Sequence, residues 1–116
     1  MPTEERLLLA EADRRALAYL DQTPARRVFP DAAAIAALGA FDQPLPEQGQ
    51  TPEQVLTQLD EVGSPATVAS NGPRYFGFVI GATLPAAAAA ERLVLAWDQR
   101  PSSFANSPVA DRLEKV

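Results

Sequence analysis

The chain has 116 residues, enough for one domain with a modest core, and 47% of them are hydrophobic, which excludes a disordered chain. Its formal charge is −5 with scattered basic residues, so it lacks the basic stripe that neutralises nucleic-acid phosphates. No apolar run approaches the ~18 residues of a membrane span, and the charged start "MPTEERLLLAEADRR" does not read as a signal peptide. A soluble, cytoplasmic protein without membrane or nucleic-acid partners is expected.

With no Cys and no His, thiol catalysis, disulfides, imidazole acid–base chemistry and most zinc chemistry are excluded, and no metal site is expected. Lys115 is the only lysine. Alanine supplies much of the hydrophobic fraction, in runs such as Ala32 to Ala34 and Ala86 to Ala90. Alanine buries little area, so the core is expected to be thin and to need a partner surface.

In chain order, residues 3 to about 19 predict a helix with Leu8, Ala12, Arg15 and Tyr19 on one face, and Leu9, Ala16, Leu17 and Leu20 on or near its flank. Two prolines bound "TPARRVFP", whose Arg26 and Arg27 read as solvated surface rather than a phosphate site. "PDAAAIAALGAF" predicts a short helix with Asp31 as N-cap and a left-handed Gly39 at its end. "DQPLPEQGQ" is an extended connector. "TPEQVLTQLDEVG" predicts a helix with Thr51 as cap, Pro52 in first position, Gln54 completing a capping box and Gly63 as terminator. Val55, Leu56, Leu59 and Val62 form its predicted buried stripe.

After a small-residue loop, "RYFGFVI" has β-propensity but neither clean alternation nor a partner strand. It reads as an extended segment over 74–80, pressed on other structure. "TLPAAAAAERLVLAWDQ" predicts a helix with Pro85 in its first turn, buried on most sides. "SPVADRLEKV" opens another helix, with Ser107 as N-cap and Pro108 first. Its stripe of Val109, Leu113 and Val116 breaks off without a stop signal, so the sequence reads as cut inside a larger architecture. The expectation is a mainly α chain of three to five helices.

Five features in order, "PLPE" at 44–47, "PAT" at 65–67, "PRYFGF" at 73–78, "AWDQ" at 96–99, and "SP" with "LE" at 107–108 and 113–114, carry a resemblance. From about Tyr19 onward the chain resembles the front of the group II pyridoxal-phosphate-dependent amino-acid decarboxylases. The resemblance implies that residues 1–116 are the helical N-terminal segment of a fold-type-I enzyme, with a first helix over 1–22 and a substrate-side and dimer-contact region over 50–116. The large α/β domain with the catalytic and cofactor-binding groups would be missing, so no catalytic or cofactor residue is expected here. By the same resemblance, Phe78, Val79, Ile80 and Gly81 line the substrate side of an active site, and Ser102, Ser103 and Phe104 reach a partner subunit's pocket. It further implies pyridoxal 5'-phosphate as cofactor, an amino-acid substrate, carboxy-lyase activity and a homodimer, the 116 residues alone being inactive.

Two positions depart from the pattern. Gly81 stands where the aromatic-amino-acid branch has a substrate-contacting threonine, which speaks against a catechol-like substrate. Arg100 stands where an asparagine is expected after "WDQ". The alternative reading is a free-standing helical protein-interaction module without catalysis, supported by the apolar surface left uncovered.

Overall fold

A computed structural model describes residues 3–116 and contains two separate units, the first ending at Ala82 and the second spanning Thr83–Val116. Five α-helices carry the chain: α1 (Thr3–Gln22), α2 (Ala32–Ala37), α3 (Pro52–Gln58), α4 (Pro85–Trp97) and α5 (Pro108–Glu114). No strand occurs among the described residues.

Local chemistry accounts for the helix starts. The Ala34 N–H donates to Asp31 Oδ1 at 2.8 Å, capping α2. At α3 the box closes in both directions, with Gln54 N–H on Thr51 Oγ1 at 3.2 Å and Thr51 N–H on Gln54 Oε1 at 2.9 Å. Pro52, Pro85 and Pro108 occupy first-turn positions, where a missing N–H costs no helical bond. The Ala110 N–H donates to Ser107 Oγ at 3.4 Å, and Ser107 is fully buried.

The ends differ from expectation. Gly39 is not left-handed; it lies inside a 3-10 turn, Leu38–Phe41, that continues from α2. Gly63 has φ −78° and ψ −47°, and closes a π-helical turn, Leu59–Gly63, which runs on into a 3-10 turn at Ser64–Ala66. In both places the following residues keep helical geometry, so the glycine's conformational freedom goes unused. The residue that does stop a helix by turning left-handed is Asp98, at φ 48° and ψ 50°, with its N–H on Leu95 O at 3.3 Å. A short polar side chain tolerates that conformation better than most.

In the first unit α1 packs against α3, α2 against the turn at Ser64–Ala66, and the Leu38–Phe41 turn against the π turn. Leu8, Ala12, Arg15 and Tyr19 are half-buried, as the helical period of α1 predicts, while Leu9, Leu17 and Leu20 stay exposed. On α3 and its π extension Leu56 and Val62 are half-buried, but Val55 and Leu59 are exposed, so the expected stripe is only half as wide. Two loops meet where the Ala69 N–H donates to Val28 O at 2.9 Å, and Ala69 is buried there. None of the five helices contains a buried residue.

In the second unit, α4 overturns the expectation of burial on most sides. Leu93, Val94, Leu95 and Trp97 are all exposed, Leu95 at 75%. Alanines fill much of the rest of the helix and offer neighbours little to cover.

The double bond pattern at Thr51 gives a direct test. Thr51→Ala should cost about 1 kcal/mol, read as a lower urea midpoint with the loss of helical ellipticity followed in parallel. An unchanged midpoint would mean that α3 is held by packing alone.

Candidate functional site

Two places in the first unit combine unusual geometry with chemistry. One is the stretch 77–82, which the sequence marks. The other is a cleft that forms only when residues far apart in the chain come together.

The stretch 74–80 does not stay extended to its end. Phe78 and Val79 have φ of 54° and 56°, and the Ile80 N–H closes a turn onto Gly77 O at 3.3 Å. Ala82 follows at φ 61° and Gly81 at φ 102°. Left-handed backbone is costly for residues with a Cβ, most of all for a β-branched valine, at about 1–3 kcal/mol each. The β-propensity of "RYFGFVI" therefore loses to the turn. The Ala82 N–H donates to Ser70 O at 3.3 Å and ties the turn back to the preceding loop.

The side chains predicted to line a substrate pocket stand outward on this turn. Phe78 is 90% exposed and Val79 is fully exposed, as is most of Ile80; the adjacent Phe76 is 93% exposed. Gly81 has no space for a side chain, because a Cβ there would lie 2.1 Å from Ser70 O. A glycine at 81 is thus a steric requirement of this backbone, not only a missing hydrogen-bonding group.

Ser102, Ser103 and Phe104, predicted to reach a partner's pocket, form the approach to α5. Asn106 Nδ2 donates to Ser102 Oγ at 2.6 Å, and the Asn106 and Ser107 N–H groups both donate to Ser103 O, at 3.2 and 3.0 Å. The serines thereby set the entry to the Ser107 cap, while Phe104 remains exposed at 65%. Arg100 accepts the Ser102 N–H on its carbonyl at 2.9 Å.

The cleft has a volume of about 440 Å³ and lies between the last turns of α1, the 26–34 segment and the π turn. Arg15 organises one wall. Its Nε donates to Glu11 Oε1 at 2.9 Å, Nη1 to Asp60 Oδ2 at 2.9 Å and Nη2 to Thr57 Oγ1 at 3.2 Å. Asp60 also accepts from Ser64 Oγ at 2.6 Å. Tyr19 forms the other wall, with the Arg26 guanidinium 4.5 Å above its ring and the phenol oxygen 2.7 Å from Thr67 Oγ1. Thr67 Oγ1 donates to Ser64 O at 2.8 Å, so the phenol donates to Thr67. Arg26 Nη2 bonds the same Ser64 carbonyl.

These contacts move the acids in one direction. Glu11 is lowered to about 2 from an ordinary 4.5, chiefly by the hydrogen bond from Arg14, whose Nη2 lies 2.6 Å from Oε1, with Arg15 adding to it. Asp60 is lowered first by the Ser64 hydroxyl and then by Arg15. Arg14 and Arg15 rise in response, led by Glu11 and by Asp60 respectively.

The sequence did not mark this cleft, since Arg26 and Arg27 read as solvated surface. Arg26 is instead half-buried, stacked and hydrogen-bonded. The available signal was Arg15, a cation placed on the inward face of α1 between Ala12 and Tyr19.

No protein-family model, curated protein or solved structure matches the chain.

Two outcomes are expected. Gly81→Ala should destabilise the first unit by roughly 1–3 kcal/mol, from its positive φ and the clash with Ser70 O, whereas Gly49→Ala, with open space around it, should be near neutral in the same urea titration. Acid should also weaken the fold. Because the folded carboxyl of Glu11 binds its proton only near pH 2, its contribution is complete above about pH 4.5 and is lost as pH falls toward 2. Asp60 acts with the same sign. Thermal melts from pH 7 to 2 should show Tm falling across that window, and less steeply in Arg14→Ala; a flat profile would refute the linkage.

Proposed function

We propose that the chain is the helical front part of a pyridoxal-phosphate-dependent amino-acid decarboxylase, supplying pocket walls and subunit contacts rather than catalytic groups. The ordered set "PLPE", "PAT", "PRYFGF", "AWDQ" and "SP…LE" motivates this reading. The observation that carries it is the exposure of Phe78 and Val79, with Phe76 before them, on a turn pinned by Gly81, in a chain whose helices bury no residue of their own. Apolar side chains held outward by a costly backbone are suited to line a cavity that another body closes.

Pyridoxal phosphate does not fit the residues of this chain on their own. A cofactor lysine needs a buried amine of lowered pKa. Lys115 is 70% exposed, caps the end of α5 and is paired with Asp111 Oδ2 at 3.0 Å. With no histidine in the sequence, no imidazole can stack on the pyridine ring. The proposed role is therefore confined to shape: the turn at 77–80 presents aromatic and branched surface, and α4 offers Leu93 and Trp97 on one face, with Leu95 on a different one, to another subunit or domain.

The exposed apolar surface also suits the second reading, a helical module that docks on a protein partner without catalysis. The coding DNA downstream of the Val116 codon separates the two. The decarboxylase reading expects a lysine-bearing segment and a phosphate-binding loop there, in frame or in the next frame. In the joined polypeptide Phe78→Ala should raise KM for the amino acid about tenfold or more through lost wall area, with a smaller change in kcat. Absence of such a segment, or carbon dioxide release indifferent to Phe78, would favour the docking module.

A further inference from the structure

The arginine-lined cleft of the first unit has more cationic capacity than its own acids consume. Each nitrogen of Arg15 is engaged, by Glu11, Asp60 and Thr57. Asp60 is occupied on both oxygens, by Arg15 and Ser64. Arg26 and Arg27 differ. Arg26 uses Nη2 on the Ser64 carbonyl and Arg27 uses Nε on the Phe29 carbonyl at 2.8 Å. Neither is paired with a carboxylate among the described residues, although the chain carries five more acids than bases. Asp31, the remaining acid of the wall, spends Oδ1 on the α2 cap.

We propose that this cleft is a binding site for a small anion bearing a carboxylate or phosphate group, held by Arg26 and Arg27. Arg27 retains both terminal nitrogens, the pair that grips two oxygens of one carboxylate or phosphate in parallel. Arg26 retains Nε and Nη1 and is fixed in advance between the Tyr19 ring and Ser64 O. Tyr19 is itself fixed through Thr67, so little side-chain entropy is left to lose on binding. At about 440 Å³ the cleft exceeds a bare phosphate and suits a ligand of metabolite size, whose body would rest on Pro30 and Pro65. This site is independent of the decarboxylase proposal, since it uses neither the 77–82 turn nor the second unit.

The test is a titration of the 116-residue chain at constant ionic strength with succinate, inorganic phosphate and, as a cationic control, tetramethylammonium. Binding is followed by the arginine Nε–Hε resonances. Saturable shifts confined to Arg26 and Arg27 are expected from succinate, from phosphate or from both, and the stronger of the two names the ligand's head group. Arg27→Ala should weaken that binding about tenfold or more, Arg27→Lys by less, and Arg6→Ala, on the same helix as Arg15 but outside the cleft, not at all. Far-UV spectra that match wild type exclude unfolding as the cause; if Arg27→Ala is unfolded, Arg27→Lys and the wild-type shifts decide. Linear, unsaturating shifts shared by Arg6, or equal losses in Arg6→Ala and Arg27→Ala, would overturn the proposal.

Discussion

Arg15 is the group on which the first unit depends. It lies on the inward face of α1, only 17% exposed, and joins that helix to Thr57 on α3 and Asp60 in the π turn. A cation in that position would be expensive if unpaired, because burial without partners carries a penalty of several kcal/mol. Here every donor nitrogen has an acceptor and Asp60 has both oxygens engaged, so the desolvation is offset by charge-assisted hydrogen bonds. The need for such a latch follows from burial. Neither α1 nor α3 contains a buried residue, so apolar contact alone fixes their mutual positions weakly. A polar clasp with fixed geometry supplies the registry that a thin core cannot.

The latch runs on through the π turn. Ser64 Oγ, just past Leu59–Gly63, lies 2.6 Å from one Asp60 oxygen while the other faces Arg15. From Ser64 the same order passes outward, because its carbonyl accepts from both Thr67 and Arg26, and Thr67 holds Tyr19. Cleft walls and helix packing are therefore one network, and a change at Arg15 would be felt at Tyr19.

Features decided within a few residues were legible in the sequence. Asp31, Thr51 and Ser107 cap where spacing and propensity place them, because a cap needs only its own side chain and an N–H three residues on. Features decided by the sign of φ were not. Gly39 and Gly63 resemble terminators but sit within continuing turns, whereas Asp98 is left-handed, and so are Phe78 and Val79, whose side chains normally resist it. "RYFGFVI" suggested extension because propensity records side-chain preference and is blind to the hydrogen bond from Ile80 to Gly77. The exposure of α4 is hidden from the sequence for a related reason: apolar composition says that a face should be covered but not by what. The cleft required three segments separated by up to 45 residues, beyond any local pattern.

The two units hold their apolar residues in opposite ways. In the first, the highly exposed Phe78 and Val79 sit on one strained turn, anchored by Ala82 on Ser70 and by the absence of a Cβ at 81. In the second, exposed apolar residues are spread along α4 and α5, whose backbones are ordinary helix and whose side chains have no comparable anchor. A strained turn keeps its shape only when its surroundings over-determine it, so 77–82 presents a preformed surface with little freedom left to lose. An apolar helix face has no fixed shape beyond its helix and gains definition from whatever it packs against. The first arrangement suits recognition of a small molecule in a defined pocket, and the second suits a large apolar contact with another protein surface. A preformed turn and an undefined helix face are thus separable features of this chain, each following from the mechanics of its own unit.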